Sequence, residues 1–123
     1  MPSIVFFEVP ANDPERSQKF YENVFGWKFE KMPTERDYWW ISTKDKDGSE
    51  GSDGGMRQRG LPENNILNYF DVKSVARTVK KIESSGGRIL VGKKAVPGMG
   101  YYAICEDTED NRFALWQVNT KAK

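Results

Sequence analysis

Apolar and polar residues alternate from the start of the chain, in a pattern typical of a β-strand that separates two surfaces. Residues 3–10 are rich in β-branched and aromatic side chains. Their alternation places Ile4, Phe6 and Glu8 on one face. The opposite face receives three apolar side chains, those of Val5, Phe7 and Val9. The first strand therefore carries a carboxylate on the same face as two apolar residues.

The apolar pattern changes to a helical period after this strand. Asp13 is a suitable N-cap, Pro14 suits the first helical position, and Gly26 is suited to ending a helix. Apolar residues between these ends fall on one helical stripe, which consists of Phe20, Tyr21, Val24 and Phe25. We therefore predict a helix between Asp13 and Gly26.

The second half of the chain repeats this order of elements. Ser74 is a suitable N-cap for a second helix, which the two glycines at residues 86–87 would end. A loop is predicted over residues 44–55 and a linker over residues 60–65. The remaining predicted strands cover residues 27–31, 38–43, 54–59, 66–72, 88–91, 101–105 and 112–118. The predicted order is βαβββ followed by βαβββ.

This repeated order predicts the domain organisation. A chain of 123 residues has the length of one ordinary domain. We predict a single α+β domain over residues 1–120, built from a module at about 3–59 and a second at about 66–118. A frayed tail is expected at residues 121–123.

Composition and charge narrow the class of protein. Lys and Arg number 19 against 18 Asp and Glu, so no sequence-independent binding of nucleic acid is expected. With 37% apolar and 30% charged residues, a membrane-embedded chain is excluded. A secretory segment is not recognised near the N-terminus, so the expected compartment is the cytoplasm. Because the chain has no histidine, Ser-His-Asp and Cys-His catalysis and imidazole zinc sites are excluded.

Several longer motifs resemble a known superfamily. They are EVPANDPERS at residues 8–17, FY at 20–21, VFGW at 24–27, SGG at 85–87 and GYYAICEDTEDNRFALW at 100–116. Together with the paired βαβββ order, they resemble the vicinal oxygen chelate superfamily, also called the glyoxalase/bleomycin resistance/dioxygenase fold. The resemblance implies that two modules form a half-open barrel around a cavity. It also implies assembly of four modules, so a homodimer is expected.

The resemblance further implies where enzymes of the superfamily would bind a divalent metal. The ligand positions fall on Phe6, on Leu67 or Asn68, and on Ala114, with a fourth near residues 54–56. Phenylalanine, leucine and alanine side chains have no atom that can coordinate a cation. We therefore predict neither a metal site nor another cofactor. A divalent metal remains the alternative if the register is shifted.

Strand alternation and the resemblance together give a candidate ligand cavity. The side chains predicted to line it are those of Phe6, Glu8, Met56, Leu67, Tyr69, Tyr102, Ala114 and Trp116. Aromatic rings with a polar group suit a planar organic ligand, although each ring could instead belong to the core. Glu8 is the candidate catalytic residue, because a carboxylate in apolar surroundings can act as a general base. The alternative is a structural glutamate paired with Arg or Lys.

Three functions follow from these residues. The favoured one is metal-free binding of a small aromatic or amphiphilic molecule in the cavity. The second is an enzyme of lyase, isomerase or dioxygenase type, either metal-dependent or with Glu8 as its base. The third is a regulatory or protein-interaction module whose cavity is collapsed by Phe6 and the tryptophans. No nucleic-acid or membrane partner is expected.

Overall fold

The computed structural model of the chain describes residues 2–34, 36–44, 51–60 and 65–123. Residues 45–50 of the predicted loop and residues 61–64 of the predicted linker lie outside the described residues. Neither helix in the described ranges is long and apolar enough to cross a membrane.

The described elements follow the predicted order. They are β1 (Ile4–Ala11), α1 (Pro14–Phe25), β2 (Lys28–Lys31), β3 (Tyr38–Ser42), β4 (Gly54–Gln58), β5 (Leu67–Asp71), α2 (Val75–Ser84), β6 (Arg88–Val96), β7 (Gly100–Glu106) and β8 (Arg112–Val118). The predicted α+β fold of two βαβββ modules is confirmed by this order. The chain forms two compact units, Val5–Ile66 and Leu67–Lys123, the second of which also includes residues 2–4.

In the first unit the strands lie in the order β2-β3-β4-β1. β1 and β4 are parallel, and the other neighbours are antiparallel. Glu8 lies beside Gly55 and Val9 beside Met56, so strand alternation sends these pairs to opposite faces. One face carries the buried core of the unit, formed by Val9, Ala11, Ile41 and Met56.

Helix α1 has the predicted ends, but its apolar stripe is largely uncovered. The Asp13 carboxylate accepts a hydrogen bond from the Arg16 N–H at 3.1 Å, and Gly26 ends the helix with φ of +72°. Tyr21 reaches the core, where its ring stacks on Trp27 with centroids 4.8 Å apart. The other stripe residues are more than half exposed: Phe20, Val24 and Phe25. Helical periodicity therefore predicted where the helix lies. It did not predict which residues of the apolar stripe are buried.

The second unit repeats this arrangement with strands in the order β5-β8-β7-β6, of which β5 and β8 are parallel. Ser74 is the N-cap of α2, and the Gln117 side-chain oxygen accepts a hydrogen bond from the Val75 N–H at 2.9 Å. The core on this side contains Val72, Val75, Ala103, Cys105 and Leu115. Burial raises the pKa of the Cys105 thiol to about 11, so this group is a protonated core residue at neutral pH.

Strand β6 and the C-terminus differ from the sequence-based expectations. β6 extends to Val96 rather than ending at Val91, because two register irregularities interrupt its alternation and obscure the pattern. The C-terminus is held rather than frayed. The Gly98 N–H donates to the Ala122 carbonyl at 2.9 Å, and Ala122 is 4% exposed. These contacts tie the end of the chain to the β6–β7 turn.

A buried glutamate anchors one end of the second unit's sheet. Glu106 is 3% exposed, and its two carboxylate oxygens accept hydrogen bonds from Arg88 and Arg112. The Arg88 hydrogen bond, with the charges of both arginines, holds the pKa of Glu106 below its usual value of 4.5. Glu106 is therefore a structural anion in the folded chain.

This ion-paired glutamate predicts loss of stability in acid. The pKa of Glu106 is lower in the folded chain than in the unfolded chain. Its ion pairs therefore stabilise the fold fully above the unfolded pKa, and this stabilisation is lost as pH falls through the lowered pKa of the folded chain. As pH is lowered from about 6 to about 3, the urea concentration at the unfolding midpoint should decrease. The decrease should be smaller in Glu106→Gln. Asp107, whose pKa is lowered by backbone N–H donors at Asn111 and Glu109, accounts for part of the remaining decline. Equal acid sensitivity in both proteins would contradict this assignment.

Candidate functional site

Strand β1 places Glu8 where three strands of the first unit meet. The residue is 7% exposed, yet its carboxylate is fully engaged. Oε1 accepts a hydrogen bond from Arg57 Nε at 2.6 Å, and Oε2 accepts one from the Tyr38 hydroxyl at 2.9 Å. The side chain is thus a buried anion held by a cation and a phenol. This is the alternative prediction, a glutamate paired with Arg or Lys, and not a carboxylate in apolar surroundings.

Gly55 makes this arrangement possible. It is the neighbour of Glu8 on β4, and a Cβ atom at this position would overlap the Tyr38 hydroxyl. Since glycine has no side chain, the phenol can pass over the strand and reach the carboxylate. The preceding residue, Gly54, similarly accommodates the ring of Phe7 on the other face, where an added Cβ would lie 2.6 Å from a ring atom.

An aromatic pair continues the same face toward one end of the sheet. Phe6 precedes Glu8 by two residues and Trp40 follows Tyr38 by two, so strand alternation puts all four on one side. The rings of Phe6 and Trp40 are tilted by 45° with centroids 5.2 Å apart. The face therefore changes from apolar rings to a hydrogen-bonded polar cluster within two residues of each strand.

A cleft of about 460 Å³ opens beside the aromatic pair. Its walls come from the start of β1, the end of β3 and the segment that enters β4: Val5, Phe6, Trp40, Lys44, Gly51, Ser52 and Asp53. The Thr43 hydroxyl donates to the Ser52 carbonyl at 2.6 Å and joins two of these segments. A volume of this order accommodates a small organic molecule.

Among the described residues of the cleft, Asp53 has a buried oxygen that lacks a hydrogen-bond partner. Its Oδ1 atom is buried and has no hydrogen-bond partner in the part of the chain that the structure describes. Asp53 precedes Gly55 by two residues, so it continues the face of Phe6 and Trp40. A buried carboxylate oxygen is destabilising unless something donates to it, which makes this atom a candidate ligand contact.

The second unit gathers five of the predicted lining residues on one face. Tyr69 lies beside Ala114, and Tyr102 beside Trp116, on adjacent strands. The five residues are Leu67, Tyr69, Tyr102, Ala114 and Trp116. Leu67 and Ala114 are fully buried in a cluster with Ile104, whereas the three aromatic side chains are partly exposed. The tyrosines and Trp116 are therefore the members of this group with accessible surface.

Met56 is not on the face of Phe6 and Glu8. It lies beside Val9 on β1 and beside Trp39 on β3, with no exposed surface, in the core of the first unit. Strand alternation explains this placement, because Met56 is adjacent to Gly55, which faces Glu8. The structure thus keeps Phe6 and Glu8 together and separates Met56 from them.

The donor groups do not fit the metal that the superfamily resemblance implies. The implied ligand positions carry Phe6, Leu67 and Ala114, which have no coordinating atoms. Across the described ranges, no three carboxylate or thiol side chains come together in a group that could hold a metal ion. No chemical step through a metal is therefore derived for this chain.

Three contributors to the site were not assigned their roles from the sequence. They are Tyr38, Arg57 and Asp53. Alternation on β3 separates Tyr38 and Trp40 from Trp39, and alternation on β4 puts Gly55 and Arg57 on one side. Asp53 comes directly before β4 and lines the cleft with Phe6 and Trp40. The missing information was the pairing of β1 with β4, which brings these residues to Glu8.

Comparisons with known proteins bear on the fold. Residues 3–43 match a family described as "Bleomycin resistance protein-like N-terminal". A "Glyoxylase-like domain-containing protein" from Didymella fabae is 27% identical over 114 residues, which are 88% of each chain. These two matches are by sequence.

Solved structures with similar architecture extend this likeness over the whole chain. A glyoxalase/bleomycin resistance protein/dioxygenase superfamily member from Vibrio splendidus 12B01 is 14% identical, with a TM-score of 0.68, and the match covers 97% of this chain and 100% of that one. Methylmalonyl-CoA epimerase from Streptomyces coelicolor, in complex with 2-nitronate-propionyl-CoA, is 12% identical, also with a TM-score of 0.68. That match covers 98% of this chain and 97% of the epimerase. At these identities the likeness is one of fold.

Proposed function

Because the chain has the vicinal oxygen chelate fold of the glyoxalase/bleomycin resistance/dioxygenase superfamily, we propose that it binds a small aromatic or amphiphilic molecule without a metal. The observation that carries the proposal is the Phe6–Trp40 pair beside an open cleft, with polar side chains at both ends of the same face. Such a surface can stack a planar ring and hydrogen-bond its substituents. In the second unit, Tyr69, Tyr102 and Trp116 are aromatic residues with partly exposed side chains.

The test is a thermal-shift screen of small aromatic compounds, with titration calorimetry of each hit. Trp40→Leu should weaken binding of a hit roughly 10-fold, since a stacked ring contributes on the order of 1 kcal/mol beyond burial. Phe25→Leu is the matched control, because Phe25 is 60% exposed on α1 and should leave binding unchanged. A screen without hits would sink the proposal and favour the regulatory module. Hits that bind Trp40→Leu normally would place the ligand elsewhere.

An enzyme of the same fold is the second candidate, and the convergence of Glu8, Tyr38 and Arg57 on the site face favours it. Methylmalonyl-CoA epimerase is among the proteins of similar fold. As a base, Glu8 would have to exchange its Tyr38 hydrogen bond for a substrate proton. In that case Glu8→Gln abolishes turnover of a bound hit, whereas unchanged turnover excludes Glu8 as the base.

The proposed assembly is a homodimer, with the cytoplasm as the expected compartment. Support for dimerisation comes from Phe20, Val24 and Phe25, whose exposed side chains form an apolar surface on α1. Native mass spectrometry without chelator measures the subunit number and any bound metal together. A monomer would overturn the proposed dimer, and one metal per subunit would overturn the metal-free proposal.

A further inference from the structure

We propose that the cleft takes a cationic amine, with an aromatic body against Phe6 and Trp40 and its ammonium group on Asp53. This inference rests on the proposed function and specifies the chemical class of the ligand. It begins from the buried Asp53 Oδ1, which has no hydrogen-bond partner in the described ranges. An anionic acceptor in that state calls for a donor from outside the chain.

The surroundings of Asp53 favour an organic cation over a metal ion. A metal ion needs several ligands, and no group of three carboxylate or thiol side chains exists in the described part of the chain. Among its described lining residues, the cleft instead presents one carboxylate next to two aromatic rings, Phe6 and Trp40. A ring face attracts a cation through its quadrupole, and an ammonium group can also donate directly to the carboxylate.

Lys44 is the other charged residue among the described residues that line the cleft, and it acts against an amine. Its side chain is exposed at the rim, where solvent and salt screen its charge. The Asp53 oxygen is buried, so its interaction with a bound cation is screened less. The balance of these two charges therefore favours the amine, and removing the lysine charge should strengthen binding.

Three indole compounds of matched shape test the inference by titration calorimetry. Tryptamine carries an ammonium group, tryptophol replaces it with a hydroxyl, and indole-3-propionate carries a carboxylate. The wild-type chain should bind tryptamine roughly 10- to 100-fold more tightly than tryptophol, the range expected for a charged hydrogen bond. Indole-3-propionate should bind more weakly than tryptophol.

Asp53→Asn should abolish the preference for tryptamine while leaving tryptophol affinity within about 3-fold, which also shows that the variant is folded. Lys44→Gln tests the opposing charge, and it should increase the tryptamine affinity. Trp40→Leu should weaken tryptamine and tryptophol alike.

Two results would overturn the inference, and they differ in what they say about the proposed function. Equal binding of tryptamine and tryptophol, unchanged in Asp53→Asn, refutes the amine and leaves small-molecule binding standing. Binding of none of the three compounds refutes the amine as well. That second result, joined to a screen without hits, refutes the proposed function too.

Discussion

Replacing Gly100 with alanine is expected to lower the free energy of unfolding by about 3 kcal/mol. Gly100 begins β7, where an added Cβ would overlap the backbone carbonyl of Gln117 and lie 2.9 Å from the Trp116 indole. The carbonyl belongs to the neighbouring strand and cannot rotate away as a side chain can. The strands must therefore separate, and the Trp116 ring must move with them.

Gly92→Ala is the matched control for this substitution. Gly92 also lies in a strand of the second unit, β6, but an added Cβ there would meet nothing within 4 Å. Alanine at this position should be neutral or slightly stabilising, because it restricts the unfolded chain. Urea-unfolding curves of both variants give the comparison. A Gly100→Ala protein as stable as Gly92→Ala would show that β7 and β8 are not packed as closely as described.

Glu8→Gln is expected to cost about 3 kcal/mol of unfolding free energy, whether or not the chain is an enzyme. The change removes the ion pair between Glu8 and Arg57, whose side chains are 9% and 20% exposed. Removing one partner of a buried ion pair is destabilising because the remaining charge stays desolvated. The neutral side-chain amide can still accept the Tyr38 hydrogen bond. The loss of stability therefore comes mainly from the broken ion pair with Arg57.

Glu15→Gln is the control, because it removes a carboxylate from an exposed ion pair instead of a buried one. Glu15 and Lys19 form an exposed pair at 4.0 Å on α1, and its loss should change the unfolding free energy by less than about 0.5 kcal/mol. The double variant Glu8→Gln with Arg57→Met should recover part of the stability, since it also removes the cation that had paired with the Glu8 carboxylate. If Glu8→Gln costs no more than Glu15→Gln, the Glu8 carboxylate is not held by Arg57 in solution.

The order of elements was predictable because it depends on local signals. The caps at Asp13, Gly26 and Ser74 operate within a few residues, and strand periodicity survives in short segments. β6 was predicted too short because its bulges interrupt that periodicity around Val91. Likewise, the contacts that hold Ala122 join parts of the chain that no local pattern connects.

Strand alternation made only part of the candidate site predictable, namely which residues of a single strand share a face. Alternation placed Phe6 and Glu8 on one face correctly. It could not reveal that β4 pairs with β1, and this pairing supplies Arg57 to Glu8 and buries Met56 on the other side. Partners separated by 49 positions in the sequence are set by topology, so charge complementarity alone could not have selected Arg57 among the other basic residues.

The consecutive glycines of β4 also bear on how this chain could change in evolution. The superfamily resemblance puts its fourth metal-ligand position near residues 54–56, where Gly54 and Gly55 each accommodate a ring from a neighbouring strand. A single substitution that introduced a carboxylate at either glycine would collide with Phe7 or Tyr38 before it could bind anything. Acquiring a ligand there requires prior loss of the ring. A mutational route from this sequence to a carboxylate at either glycine therefore passes through a less stable intermediate.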